Sequence, residues 1–285
     1  MSGADAPDRY AVVGHPVAHS RSPFIHARFA AATGQRLVYG LIDIPPGAVR
    51  DRVDAFAAEG GRGLNVTLPY KFEAFDYAGR LTARARDAGA VNPLAWQPDG
   101  SVLGDNPDGA GLVRDLAQTL PRPLAGRRVL LLGAGGAARG ALPALAAAAP
   151  GAIVVANRTH ERAVALAADF ADRARIEACE FERLDGRFDL VVNATAASID
   201  DAVPPVPAQV VDGGTLCYDM MYGAAPTAFL RGAAAAGAGE RAVGSGMLVE
   251  QAAESFALWR GVRPQTGPVL AALRAQLADE AARDA

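Results

Sequence analysis

A glycine-rich turn is the segment of this 285-residue sequence best suited to binding a charged ligand. Gly133, Gly135 and Gly136 stand directly after the apolar run Val129 to Leu132. Glycines at such a turn allow torsions and a close approach that a Cβ would block. The helix that follows presents unpaired N–H groups to an anion. The pattern predicts a cradle for phosphate groups.

The residues after the next strand indicate which dinucleotide fits. A second apolar run, Ile153 to Ala156, lies at a spacing that completes a βαβ unit. NAD sites usually offer a carboxylate there for the ribose 2′-hydroxyl. This sequence offers Asn157, Arg158, Thr159 and Arg162, with Thr159 as the expected helix N-cap. Because two guanidiniums suit a 2′-phosphate, we predict NADP as the cofactor; two solvated surface arginines are the alternative interpretation.

Seven polar side chains stand near the ends of predicted strands, where small ligands bind in open α/β sheets. They are Ser20, Ser22, Thr67, Lys71, Asn92, Asp108 and Gln251. Some have a purely structural interpretation as well, since Ser22 before Pro23 is a good helix N-cap and Asn92 is a common turn residue. We expect these side chains to converge on one cleft that faces the nicotinamide.

The elements that position these residues follow from short apolar runs separated by turn residues. We predict strands at 10–13, 37–43, 63–67, 129–132, 153–156, 188–193 and 215–219, and a hairpin of 91–96 with 101–103. We predict helices at 22–33, 46–58, 71–77, 81–88, 108–120, 227–236 and 246–262, and a further helix after the glycine turn that contains Pro143.

The order of these elements predicts an α/β fold with two α/β domains and a cleft between them. One is a Rossmann-type doubly wound NADP domain, residues 108–246. The other is a discontinuous α/β substrate domain, residues 1–107 plus 247–285, because Gln251 must return to the cleft. Residues 121–123 are the expected hinge region, and Gly244 and Gly246 are expected to act as hinges for domain closure.

Composition excludes several classes of protein. The chain is 51% apolar and 21% charged, which is ordinary for a globular protein with a sizeable core. A net charge of −3 provides no basic field for nucleic acid or an anionic membrane. No signal peptide or membrane span is evident, and Cys179 and Cys217 have no metal-like spacing, so we expect reduced thiols in a cytoplasmic protein without a metal.

Eight ordered blocks then resemble the shikimate dehydrogenase family from about residue 9 to about residue 275. The blocks are VVGHPVAHSRSPFIH, GLNVTLPYK, AGAVNPL, GDNPDG, GAGGAAR, NRTHER, YDMMYG and GSGMLVEQAAESF. The resemblance implies reversible, NADP-dependent reduction of 3-dehydroshikimate to shikimate in the shikimate pathway, which leads to chorismate and aromatic amino acids. It implies a small-molecule partner and a monomer or homodimer.

The resemblance also implies residue roles. Lys71 and Asp108 match the family's acid–base pair, and the physical case agrees, since a carboxylate can hold a partly desolvated ammonium in place. Ser20 and Ser22 match the hydroxyl pair that binds the substrate carboxylate, while Thr67, Asn92 and Gln251 match contacts to ring hydroxyls. Tyr222 reaches the carboxylate or packs in the core. The implied cofactor contacts are Gly133, Ala134, Gly135, Gly136, Ala137, Asn157, Arg158, Thr159, Arg162, Ala194, Thr195, Met220, Gly244 and Met247.

Two single positions and one short segment depart from the family pattern. Pro93 and Pro107 stand where the family usually has Thr, and a proline lacks the N–H donor. NATAAS replaces the usual NATSSG, which puts Ala197 and Ser198 near the expected nicotinamide ribose. The alternatives are therefore a dehydrogenase of the same fold for quinate or another cyclic hydroxy acid, a non-catalytic NADP-binding paralogue, and an unrelated Rossmann reductase. The serine pair argues against quinate, whose additional hydroxyl needs more room beside the carboxylate.

Overall fold

The chain forms two compact units. The computed structural model describes residues 6–119, 123–195, 197 and 202–284. The first unit consists of Met1–Pro107 and Val249–Ala271, and the second of Asp108–Leu248 and Ala272–Ala285. Each unit contains its own six-stranded sheet, which confirms the α/β class with two α/β units. Which segments bind substrate and which bind cofactor stays a prediction.

The first unit is built on a mixed sheet. Its strands are β1 (Asp8–Gly14), β2 (Leu37–Asp43), β3 (Gly61–Val66), β4 (Arg80–Leu81), β5 (Pro93–Trp96) and β6 (Val102–Gly104). Its helices include α1 (Ser22–Thr33), α2 (Val49–Ala58), α3 (Lys71–Tyr77) and α4 (Ala83–Ala88). The strand order is β2-β1-β3-β5-β6-β4. β1 is parallel to β2 and β3, whereas β5 is antiparallel to β3 and β6, as the predicted hairpin requires.

This topology places one end of each of the strands β1, β3 and β5 at the same edge of the first sheet. The carboxyl ends of β1 and β3 lie there, because the two strands are parallel. The amino end of β5 lies there too, because Asn65 of β3 is opposite Pro93 at the start of β5. The main-chain N–H of Val66 donates to the carbonyl of Asn92 at 2.6 Å, which ties the two strand ends together.

The second unit is built on a fully parallel sheet. Its strands are β7 (Arg128–Leu132), β8 (Ala152–Ala156), β9 (Ile176–Cys179), β10 (Leu190–Asn193), β11 (Leu216–Asp219) and β12 (Glu240–Val243). Its helices include α5 (Asp108–Thr119), α6 (Gly136–Ala147), α7 (His160–Asp169) and α8 (Ala228–Ala235). The order β12-β11-β10-β7-β8-β9 is that of a doubly wound Rossmann sheet, with the reversal between β7 and β10.

Both faces of this parallel sheet are buried at its centre, which explains why β7 and β8 are continuous apolar runs. Along β7, Val129 and Leu131 belong to one core cluster, while Leu130 and Leu132 belong to another. Two further helices, α9 (Ser245–Arg260) and α10 (Gly267–Asp284), each contribute residues to both units. No helix within the described ranges is long and apolar enough to cross a membrane.

Two differences from the predicted elements have physical reasons. β4, β9 and β12 were not predicted, because they are short edge strands without a continuous apolar run. Ser22 is the first helical residue of α1 and not its N-cap, which is Arg21. Pro143 lies inside α6 as predicted, whereas positions 121 and 122 of the expected hinge lie outside the described residues.

Candidate active site

All predicted cofactor contacts lie at the carboxyl edge of the second sheet. Residues 133–137 follow β7, residues 157–162 follow β8, residues 194–195 follow β10, and Met220 follows β11. Gly244 follows β12, and Met247 lies in the first turn of α9. Because this edge includes the strand reversal between β7 and β10, it is the place where a doubly wound sheet opens a binding crevice.

The glycine turn has the backbone that a phosphate cradle requires. Gly133 has a φ of +104°, and a Cβ there would lie 3.1 Å from the carbonyl oxygen of Ala194. Its N–H donates to the carbonyl of Ala156 at 2.7 Å, which ties the turn to the end of β8. Gly135 occupies the N-cap position of α6 without a capping side chain. The first N–H groups of α6 are therefore available to an anion.

The basic segment after β8 is available to a ligand as well. Arg158 and Arg162 are exposed, and within the described residues neither guanidinium has a hydrogen bond or salt bridge. Thr159 occupies the N-cap position of α7, but its side chain makes no capping bond, in contrast to the prediction. Instead, Nδ2 of Asn157 donates to the carbonyl of Thr159 at 2.9 Å and shapes the turn. These residues fit a 2′-phosphate and offer no carboxylate to a 2′-hydroxyl.

A buried polar network that the sequence analysis missed holds the loops after β10 and β11. Nδ2 of Asn193 donates to Oδ1 of Asp219 at 3.2 Å, and both residues have 0% exposure. Oδ1 of Asn193 accepts the hydroxyl and N–H of Thr195. Asp219 also accepts the N–H of Met221 at 3.0 Å and the hydroxyl of Thr227 at 2.5 Å. The network fixes Thr195 and the start of the YDMMYG loop relative to each other.

A second buried network holds the start of α9. Oδ2 of Asp115 accepts the hydroxyl of Tyr218 at 2.6 Å and the N–H of Met247 at 3.1 Å. Burial, followed by the negative charge of Asp115, raises the pKa of Tyr218 well above its ordinary value, so the phenol remains a donor. A Cβ at Gly246 would lie 2.0 Å from Oδ1 of Asp115. Glycine is required there because α5 passes so close to α9.

Gly244 is also explained by packing. A Cβ at this position would lie 2.2 Å from the carbonyl oxygen of Met220. Neither Gly244 nor Gly246 has a positive φ, so close approach accounts for both glycines without the hinge role that the sequence analysis assigned to them. Domain closure itself stays a prediction. Ala197 donates its N–H to the hydroxyl of Thr195 at 3.3 Å, whereas Ser198 lies outside the described residues.

The predicted acid–base residues each begin a helix. Lys71 is the first residue of α3, is half-buried, and accepts the N–H of Val91 with its carbonyl at 2.9 Å. Asp108 is the first residue of α5 and is 2% exposed. Lys71 belongs to the first unit and Asp108 to the second. Their pairing stays a prediction.

In the first unit, three amide side chains form one hydrogen-bonded group. Nδ2 of Asn65 donates to Oδ1 of Asn92 at 2.8 Å, and Nδ2 of Asn92 donates to Oε1 of Gln251 at 3.0 Å. Nδ2 of Asn65 also donates to the hydroxyl of Ser255 at 2.9 Å. The structure thus brings the predicted residues Asn92 and Gln251 together. Asn65 was not predicted, although an amide between the apolar residues Leu64 and Val66 of a predicted strand is itself a signal, because a buried amide needs hydrogen-bond partners.

The serine pair lies at the start of α1. The hydroxyl of Ser20 donates to that of Ser22 at 3.2 Å and accepts the N–H of Ser22 at 3.3 Å. Thr67 is half-buried at the carboxyl end of β3, and its N–H donates to the carbonyl of Val13 at 2.9 Å. Tyr222, also half-buried, lies in the second unit on the loop after β11. The relation of Tyr222 to the serine pair stays a prediction.

The first unit accommodates Pro93 at a position where its missing N–H does little harm. Pro93 is the first residue of β5, and its carbonyl accepts the N–H of Asp105 at 3.0 Å. Asp105 is held in turn by Nε of Arg84 at 2.7 Å and by the hydroxyl of Thr82 at 2.5 Å. The GDNPDG segment therefore keeps a fixed path up to Pro107 despite the proline substitutions.

No group of His, Cys, Asp and Glu side chains within the described parts of the chain forms a candidate metal site. Cys179 and Cys217 are both free thiols. Burial, the main cause, raises the pKa of the Cys217 thiol to about 12.

Comparison with known proteins shows which family this chain belongs to. Three family models match: the shikimate dehydrogenase substrate binding domain at 12–94, shikimate / quinate 5-dehydrogenase at 115–200, and the shikimate 5′-dehydrogenase C-terminal domain at 244–274. The NADP(+) shikimate dehydrogenase of Aromatoleum aromaticum is 56% identical over 274 residues, which cover 95% of this chain and 98% of that protein. The chain belongs to the shikimate dehydrogenase family.

Solved structures similar to this member of the shikimate dehydrogenase family share its two-unit fold. An Ael1 enzyme from Pseudomonas putida is 48% identical, with a TM-score of 0.88 and coverage of 93% of this chain and 98% of that one. Shikimate 5-dehydrogenase from Thermus thermophilus, solved with NADP(H) and shikimate, is 36% identical. Its TM-score is 0.83, and 94% of this chain and 99% of that chain are covered. The resemblance to the shikimate dehydrogenase family seen in eight sequence blocks is confirmed.

Proposed function

We propose that this protein is an NADP-dependent shikimate dehydrogenase that reversibly reduces 3-dehydroshikimate to shikimate. The observation that carries the proposal is the 56% identity, over 98% of its length, to a protein named NADP(+) shikimate dehydrogenase. The geometry of each unit supports one half of the proposal. The second unit offers a dinucleotide edge with two arginines, and the first offers a connected set of hydroxyls and amides.

The second unit would hold NADP at the carboxyl edge of its sheet. Residues 133–137 would receive the pyrophosphate, Arg158 and Arg162 would receive the 2′-phosphate, and Thr195, Met220 and Met247 would line the nicotinamide side. NADPH supplies a hydride when it is bound. Asn193, Asp219 and Asp115, which lie at the centres of the two buried networks, would hold Thr195 and Met247 in place without contacting the cofactor.

The first unit would recognise the substrate through complementary polar groups. Ser20 and Ser22 would donate to the carboxylate of the cyclic acid, which Tyr222 would also reach. Thr67, Asn92 and Gln251 would hydrogen-bond the ring hydroxyls. Because a polar site rejects analogues that leave its groups unpaired, this set would select for hydroxylated ring acids over plain ones.

Lys71 would deliver a proton to the ketone oxygen during reduction and remove it during oxidation, with Asp108 orienting the ammonium. The composition adds an argument for this role of Lys71. The chain contains 28 lysines and arginines in total, and Lys71 is the only lysine. The remaining residues of this set are all arginines. A guanidinium keeps its proton in proteins, whereas an ammonium can release one. The one position that keeps lysine is therefore the one for which the proposal requires proton transfer.

The rest of the proposal concerns context. The enzyme would act in the shikimate pathway, in the cytoplasm, as a monomer or homodimer. Residues 1–107 plus 247–285 would bind substrate and residues 108–246 would bind NADP, with closure of the intervening cleft during turnover.

One second candidate has a specific observation in its favour. The family model that matches residues 115–200 is that of shikimate / quinate 5-dehydrogenase, so it covers both activities. Quinate carries an additional hydroxyl beside its carboxylate, and the Ser20 and Ser22 hydroxyls already lie 3.2 Å apart in that predicted region. We therefore favour shikimate over quinate.

Steady-state assays on the purified protein test the proposal. Shikimate and quinate are each offered with NADP and with NAD, and reduced nicotinamide is followed by absorbance. We expect the highest kcat/KM with shikimate and NADP. A higher value with quinate would support the second candidate. Binding of NADP without turnover of any cyclic hydroxy acid would indicate a non-catalytic paralogue.

A further inference from the structure

Tyr39 of β2 joins the serine pair to the amide group, although it belongs to none of the sequence blocks that carry the family resemblance. The Ser22 hydroxyl lies close enough to the phenol of Tyr39 to lower its pKa by hydrogen bonding. The phenol donates to Oδ1 of Asn65 at 2.8 Å. Ser22, Tyr39 and Asn65 all belong to the first unit, so the connection lies within one unit.

The chain of hydrogen bonds from Tyr39 runs in one direction. From Tyr39 onward each side chain donates to the next, in the order Tyr39, Asn65, Asn92 and Gln251. This series of hydrogen bonds ends at Nε2 of Gln251, which has no hydrogen-bond partner among the described residues. An amide group has one acceptor end and one donor end, so the orientation of each amide determines that of the next. The last group of this series, Nε2 of Gln251, is therefore a donor.

Two features keep Tyr39 in the donor state and in one position. Burial, opposed only in part by the Ser22 hydrogen bond, raises the pKa of Tyr39 well above its ordinary value. The phenol ring also stacks on the imidazole of His26, with centroids 4.2 Å apart and planes 3° apart. His26 is 1% exposed and packs against Phe29, Phe256 and Trp259 as well. The ring stack fixes the phenol oxygen between Ser22 and Asn65.

We propose that Tyr39 is a positioning residue for the substrate. Its hydroxyl sets the orientation of the Asn65 amide, and through Asn65 those of Asn92 and Gln251, so that Gln251 presents an N–H donor to a ring hydroxyl of the substrate. The inference rests on the proposed function. Without the phenol hydroxyl, Oδ1 of Asn65 loses its donor, and the amide is held only by the bonds that its Nδ2 makes to Asn92 and Ser255. Tyr39 itself does not need to contact the substrate.

Tyr39→Phe removes the hydroxyl and keeps the ring stack. We expect the KM for shikimate to rise about 10-fold, which corresponds to one lost hydrogen bond, with kcat within about twofold of wild type and KM for NADP unchanged. Tyr10→Phe is the matched control. Tyr10 stacks on Trp259 in the same aromatic cluster, but its hydroxyl accepts from Arg260 at 3.3 Å and is outside the chain of donors. We expect no change in KM from Tyr10→Phe.

A double-mutant cycle separates positioning from loss of stability. If Tyr39 acts through Gln251, the KM of Tyr39→Phe combined with Gln251→Ala should rise by much less than the product of the two single effects. Additive effects, an unchanged KM in Tyr39→Phe, or an equal rise in Tyr10→Phe would overturn the inference and leave the proposed function intact. A wild-type protein without shikimate turnover would overturn both.

Discussion

Lys71 can be modified selectively, because it is the only lysine side chain in the sequence. An amine-directed acylating reagent therefore has a single side-chain target. Acylation removes the exchangeable proton and the charge of the ammonium. A proton-transfer role for Lys71 thus makes a prediction that no mutagenesis is needed to test.

We expect acylation at Lys71 to reduce kcat by about 100-fold or more, since general acid–base catalysis typically contributes that much. Peptide mass analysis would relate the extent of acylation at Lys71 to the remaining activity. Saturating shikimate should slow the reaction at Lys71 but leave acylation of the α-amino group unchanged, which provides an internal control. Complete acylation of Lys71 with full turnover would remove this residue from the acid–base role.

Arg158 is the residue that tests cofactor choice. Charge-assisted hydrogen bonds contribute about 1.5–3 kcal/mol, so Arg158→Ala should raise the KM for NADP by about 10- to 100-fold and change the KM for NAD little. Arg175→Ala is the matched control, because Arg175 directly precedes β9 at the opposite edge of the same sheet and pairs with Glu177. Equal effects of Arg158→Ala on both cofactors would contradict binding of the 2′-phosphate.

At the level of elements, the first turn of α9 depends on close packing against α5. Asp115 accepts the N–H of Met247, and this contact is possible only because position 246 has no side chain. The start of α9 is therefore held by a buried carboxylate from a helix about 130 residues earlier in the chain.

Gly246→Ala should destabilise the second unit by about 2 kcal/mol, because the new Cβ would overlap the Asp115 carboxylate. Since Met247 is a proposed nicotinamide contact, the KM for NADP should rise as well. Thermal unfolding followed by circular dichroism would measure the first effect. Gly267→Ala at the start of α10 is the control, because no atom lies within 4 Å of its added Cβ. A Gly246→Ala protein as stable as Gly267→Ala would refute this account of α9.

The elements that the sequence predicted well are those with strong local signals. α1 and α3 have the predicted bounds, and β7 and β8 were predicted to within one residue, because apolar runs and turn residues mark their ends. β9 and β12 have no such signal. Each is a four-residue strand at an edge of the sheet that contains a charged residue, such as Glu177 or Glu240, in place of a continuous apolar run.

The predicted site residues likewise divide into those with a local signal in the sequence and those without one. Residues in quoted blocks were found, whereas Tyr39 was treated as an ordinary strand residue, since aromatic residues are common in strands. Its role depends on a partner 26 positions away, Asn65, and on the parallel pairing of β1 with β2 and β3. Hydrogen bonds between distant segments are a property of the folded sheet, and no local pattern reports them.

At the level of the whole molecule, the two units allow separate measurements. Both tryptophans, Trp96 and Trp259, belong to the first unit, so tryptophan fluorescence reports on that unit during unfolding. The same unit contains His26, whose burial lowers its pKa from 6.5 to about 3. A buried neutral histidine makes the stability of this unit sensitive to acid.

The direction of this effect follows from proton binding. Below about pH 6.5 the unfolded chain binds a proton at His26 that the folded chain does not bind until about pH 3, so acid favours unfolding. Urea unfolding followed by tryptophan fluorescence should show that wild type loses about 2 kcal/mol more than His26→Phe between about pH 7.5 and about pH 5. His19→Gln, at an exposed histidine, should behave as wild type. Parallel pH profiles for wild type and His26→Phe would show that His26 is not buried in its neutral form.

Hydride transfer to the ring ketone is the central claim, and isotope transfer tests it most directly. The wild-type protein is supplied with 3-dehydroshikimate and NADPH that is doubly deuterated at C4 of the nicotinamide, and the shikimate formed is analysed by mass spectrometry and NMR. The account predicts shikimate that carries one deuterium on the carbon that was the ketone. Failure to form shikimate, or shikimate without deuterium at that carbon, would contradict it.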